Sequence, residues 1–132
     1  MATIANVTTE VINTKQNGIS LHCIWEGLVT GSLDGDAFVN PNFKDLCMQV
    51  KGTFDTATIT MQGTNDTGAA GTETWFTLTD GNGIAAGNNV VFTAAGGKQI
   101  YETPYKIRPL VSSVGASTDL DVTIIASTTA RR

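Results

Sequence analysis

A single histidine, His22, is all the imidazole this chain has for acid–base or nucleophilic chemistry. A Ser–His–Asp relay would need it beside an activated serine and oriented by a carboxylate. No G-x-S-x-G elbow occurs, and the run ISLHCIWEGL places His22 mid-strand, on the face opposite Leu21, Cys23 and Trp25. Carboxylates are more plentiful, and the candidates are Glu26, Asp34, Asp36, Asp55, Asp66, Glu73, Asp80, Glu102, Asp119 and Asp121. Most fall among Gly, Asn and Thr, where aspartate bonds local backbone and stabilises a bend, so turn chemistry explains them without a catalytic pair. Asp34-Gly-Asp36 and Asp80-Gly-Asn-Gly offer oxygens to calcium, yet neither fits the D-x-[DN]-x-[DN]-G loop and both read as plain turns. Gly96-Gly97-Lys98 lacks the spacing of a phosphate loop and also reads as a turn. Cys23 and Cys47 have no C-x-x-C spacing, which leaves a redox or zinc site without support; two reduced thiols are expected, with a bond between them the alternative if their strands are neighbours. The residues therefore predict no enzyme, no metal and no cofactor.

Charge narrows the partners. Eight Lys and Arg stand against twelve Asp and Glu, a net charge of −4, and the one basic cluster is Arg131-Arg132. Nucleic-acid binding needs a clustered basic face, so it is excluded as an expectation. The N-terminal run MATIANVTTEVINTKQ lacks the basic start and apolar stretch of a signal peptide, and no segment reaches membrane-spanning length. Synthesis in a cytoplasm and no membrane partner are the expectations.

The elements that would position these residues are strands throughout. Residues 57–62 alternate strictly, with Ala57, Ile59 and Met61 on one face and Thr58, Thr60 and Gln62 on the other. The cluster GTNDTG and a second strand over 74–79 then predict a hairpin with a long, small-residue loop, which is either mobile or docked onto a neighbouring molecule. Further strands are predicted at 3–11, 19–28 (Leu21, Cys23 and Trp25 on one face), 44–54 (Leu46, Met48 and Val50 inward), 89–93, 105–112 and 120–127, with a short extended piece at 37–39. Turns are expected at 31–36, at Pro41-Asn42, at 80–83 and at Gly96-Gly97. With 132 residues, 41% of them hydrophobic and 15% charged, this is expected to be one all-β domain spanning residues 1–132. The architecture implied is an antiparallel β-sandwich, jelly-roll-like, of seven to nine strands, with residues 1–11 as an extended N-terminal arm. Trp25 shares the apolar stripe of its strand and is assigned to the core. Trp75 lies outward if Phe76 and Leu78 point inward, which offers it to a partner; a core position is the alternative. Arg108 is expected to pair with the Asn65-Asp66 turn, or else with another subunit.

Three pieces carry a resemblance. MQGTNDTGAAGTETWFTL (61–78), ETPYKIRPLV (102–111) and the closing strand with its basic tail, LDVTIIASTTARR (120–132), resemble segments of small all-β tailed-phage virion proteins, capsid decoration (cement) proteins among them. The match runs from Leu46 onward. It implies a virion protein on the capsid surface that holds to the major capsid protein and to itself as a homo-oligomer, typically a trimer. Low charge implies attachment through extended backbone and apolar contacts, with arms at 2–11 and 123–132 donated to neighbours. The interface candidates are Ala2, Thr3, Ile4, Val7, Trp75, Arg108, Arg131 and Arg132. The alternatives are another virion part (neck, tail or head fibre) or a carbohydrate-binding sandwich that meets a host-surface glycan on Trp75, Trp25 or Tyr101.

Overall fold

The computed structural model describes residues 4–5, 7–13, 20–29, 34–35, 37–39, 44–69, 71–81 and 88–127, with 4–5, 7–13, 20, 29 and 34–35 described by backbone alone. Ala2, Thr3, Arg131, Arg132 and the turns expected at Pro41-Asn42 and Asn82-Gly83 lie outside them. The described residues form strands and no helix, so none crosses a membrane as a helix. Two sheets pack over one core. In chain order the strands are β1 (Ile4–Ala5), β2 (Val7–Asn13), β3 (Ser20–Val29), β4 (Asp34–Gly35), β5 (Phe38–Val39), β6 (Asp45–Thr53), β7 (Thr58–Thr64), β8 (Phe76–Thr77), β9 (Val91–Phe92), β10 (Gly96–Ile100), β11 (Lys106–Ser112) and β12 (Asp119–Ser127). One sheet has the order β10-β6-β12-β3-β2; the other runs β1-β4-β11-β7-β8, with β5 beside β11 and β9 beside β7. All pairings are antiparallel except β1 with β4.

The strand count exceeds the expectation because β1, β4, β5, β8 and β9 have two residues each. The stripes are those the alternation predicted. Leu46, Met48 and Val50 of β6, Ile59 and Met61 of β7, and Cys23 and Trp25 of β3 are all buried, and so are Ile107, Val111, Leu120, Val122 and Ile124. Each such side chain contributes about 1.5–3 kcal/mol by leaving water.

Two expectations of turns are corrected. Gly96-Gly97-Lys98 opens β10, an edge strand paired with β6 from Gly96↔Val50 to Ile100↔Leu46. Gly97 is suited to that position, because a Cβ there would come within 3.1 Å of the Met48 carbonyl oxygen. Asp34–Gly35 is likewise strand, set between β1 and β11.

Within β3 the alternation breaks. Leu28 sits opposite Leu120 and Trp25 opposite Val122, so Glu26 and Gly27 together face Asp121 alone. Gly27 takes φ +66°, and its N–H donates to Asp121 Oδ1 at 3.0 Å. This is a β-bulge with glycine in the left-handed position, and the extra residue returns Leu28 to the core.

The cysteines lie on strands that flank β12 on opposite sides and face opposite ways. Cys23 pairs with buried Ile124, whereas Cys47 pairs with exposed Ile125. Thiols directed to the two faces of a sheet cannot bond, and both are free. Burial pushes the Cys23 thiol up to about 12. In native protein a thiol reagent should therefore label Cys47 alone, with the second equivalent reacting only in denaturant. Two equivalents under native conditions would contradict the buried placement.

Candidate functional site

The outer face of the seven-stranded sheet is where the sequence candidates meet. Arg108 lies opposite Gln62, and Gln62 opposite Thr77, a row across β11, β7 and β8. Lys106 and Arg108 flank buried Ile107 and so share the face turned from the core. Arg108 Nε donates to Gln62 Oε1 at 3.0 Å, and its guanidinium carbon stands 4.0 Å from the centre of the Trp75 ring. Of the eight interface candidates, the structure thus brings Trp75 and Arg108 together. Arg108, expected to pair with the Asn65-Asp66 turn, makes contacts to Gln62 and Trp75. The turn itself captures backbone. Tyr105 N–H donates to Asn65 Oδ1 (3.1 Å) and Thr74 N–H to Asp66 Oδ2 (2.6 Å).

Trp75 is half-buried beneath the guanidinium. The premise that placed it outward holds only in part. Leu78 is fully buried, but Phe76 is 41% exposed because β8 pairs with β7 alone, at the margin of the sheet. Ile4 and Val7 are in β1 and β2, where their backbones pair with Asp34 and Trp25 of the same chain. The segment expected as an arm is extended, and from Val7 to Asn13 it is the edge strand of its own sheet.

An ion pair that the residue pattern did not reveal ties the site together. Glu73, in the segment leaving β7, meets Lys106 Nζ at 2.8 Å and also accepts the Gly71 N–H at 2.8 Å. The Lys106 hydrogen bond, with backbone donors adding to it, holds the Glu73 carboxyl at about 2 against an ordinary 4.5. Nothing in the local sequence links two residues this far apart; the path of the segment between β7 and β8 brings Glu73 to Lys106. A depressed carboxyl contributes stability that is present above its unfolded value and lost as pH falls through the folded one. Acid titration should therefore remove this stabilisation between about 4.5 and about 2, with the contact itself released in folded protein as pH falls through about 2. The release should show as a change in Trp75 emission that disappears in Lys106→Met; an identical titration in that variant would refute it.

Elsewhere Asp80 stands 3.7 Å from Lys98 Nζ, and two other carboxylates bind backbone. Glu102 receives Thr79 N–H at 2.7 Å and Thr79 Oγ1–H at 2.6 Å. Asp55 Oδ2 takes the Ser117 N–H at 2.7 Å and joins the turn after β6 to the loop before β12. His22 is half-buried in mid-strand opposite Ile125. Among the described residues, no three His, Cys, Asp or Glu side chains converge as metal ligands. Of the aromatic platform residues, Trp25 is in the core, Trp75 carries Arg108, and Tyr101 alone is widely exposed, at 64%.

No family model matches the chain, and no curated protein does. Among solved structures the architecture is similar to that of the SPBc2 prophage-derived protein YomS, with a TM-score of 0.50 and 18% identity over 96% of each chain. The likeness is one of fold.

Proposed function

We propose that this chain is a structural protein of a tailed-phage virion, a capsid decoration protein that binds the outer capsid surface and stabilises the head between major capsid subunits. The observation that carries the reading is the fold shared, over nearly the full length of both chains, with a prophage-derived protein. The segments that resemble phage virion proteins support it, since two of them supply Trp75 and Arg108 to one surface. The chain works by contact rather than catalysis and assembles as a homo-oligomer, a trimer in the simplest arrangement. With 15% of residues charged, attachment rests on backbone pairing and apolar contact. The outer edge of β2 is a natural place for a neighbour's strand, because an edge strand presents unpaired backbone groups.

The test is location. Particles lacking the protein, incubated with purified protein and imaged by electron cryomicroscopy, should show new density at capsid subunit junctions and survive heating better. Density at the neck, tail or fibres would replace this reading with another virion role. A particle that takes up no protein would overturn it.

A further inference from the structure

We propose that residues 65–75 form a strap across the outer face of the seven-stranded sheet, latched by Glu73 on Lys106, and that it opens as a local unit while the sandwich stays folded. The inference rests on the fold alone and holds whatever partner the domain serves.

The strap leaves β7 at Thr64 and enters β8 at Phe76. Among the described residues between these points, Glu73 and Trp75 are half-buried, whereas Asn65, Asp66, Thr67, Gly68, Ala69, Gly71, Thr72 and Thr74 are exposed. Its ties are polar: Glu73 to Lys106 and to Gly71 N–H, Asp66 to Thr74 N–H, Asn65 to Tyr105 N–H, and Thr64 Oγ1 to Asp66 N–H (3.0 Å). Trp75 stands against the Arg108 guanidinium. The Gly71, Thr74 and Tyr105 bonds are exposed while the Glu73–Lys106 latch is largely shielded, and a segment held by a few polar ties with little apolar burial belongs to the low-stability end of a fold and opens before its core. The sheet beneath is different in kind: Ile59, Met61 and Ile107 are fully buried in the core.

Opening would uncover Thr64, Lys106 and Arg108 together. The two cations stand two residues apart on one face of β11, and in the closed strap Glu73 supplies the carboxylate that one of them binds. A charge-assisted bond at one end and a stacked ring at the other make a latch whose loss should free the whole segment.

Hydrogen exchange on the full chain resolves this residue by residue. The amides of Gly71, Thr74 and Tyr105 should exchange faster than those of Val122 and Ile124 in β12. In Glu73→Gln the strap amides should gain about tenfold more, with the β12 amides unchanged. Acrylamide quenching provides a second reading, because Trp25 is fully buried and serves as an internal reference for Trp75. Quenching should rise in Glu73→Gln and lose that rise in the double variant with Trp75→Phe. Strap amides that exchange at the rate of β12 would overturn the proposal, as would a strap indifferent to Glu73→Gln in both measurements.

Discussion

Trp25→Ala should cost about 3–5 kcal/mol of folding stability, the largest loss expected from truncating a single side chain in this domain. The ring has no solvent exposure and belongs to the core formed by both sheets, beside residues such as Val122, which lies opposite it on β12. Truncation removes the transfer free energy of the indole and leaves a cavity that β3, paired on both sides, cannot collapse to fill. Domains of this size have about 5–15 kcal/mol in total, so the variant should unfold roughly 10–20 °C lower. Trp75→Ala is the comparison. It forfeits a stacked guanidinium at the surface, about 0.5–1 kcal/mol, and leaves the core intact. Urea unfolding of both variants measures the difference. Equal losses would mean that the assignment of one tryptophan to the core and the other to the outer face is wrong.

The core position of Trp25 was legible because a strand with one wet face writes its burial into alternate residues. Leu46, Met48 and Val50 could be placed from their spacing alone, and so could Ile59 and Met61. Edges and irregularities were not legible in this way. Gly96-Gly97 resembles punctuation, yet glycine also suits an edge strand passing close to a neighbour's carbonyl, and the type of residue does not distinguish the two. Phe76 and Leu78 share a period but not a fate, since β8 is only two residues long and pairs on one side. The surface site was half visible. Trp75 and Arg108 were each singled out by their setting, but that they touch follows from the path of residues 65–75 over β11. The Glu73–Lys106 pair depends wholly on that path.

Gly52 provides the sharpest test of the β6–β12 seam. Its φ is +119°, a conformation side chains rarely adopt, and it lies directly opposite Leu120 in the ladder. A Cβ at this position would overlap the Asp119 carbonyl oxygen and stand 3.1 Å from Leu120 Cα. Both neighbours are backbone of a central strand and have no room to give. Gly52→Ala therefore combines a disfavoured backbone with a steric clash, together about 2–4 kcal/mol. Gly27→Ala separates these effects. Gly27 also has positive φ, +66°, but open space surrounds its Cβ position, so the substitution incurs conformational strain alone, about 1–2 kcal/mol. Measured side by side in urea, Gly52→Ala should lose clearly more than Gly27→Ala. It should also raise exchange at the amides where β6 meets β12. If the two losses agreed within experimental error, the close approach of β12 to Gly52 would be wrong, and with it the register that sets Asp119 and Leu120 against the end of β6.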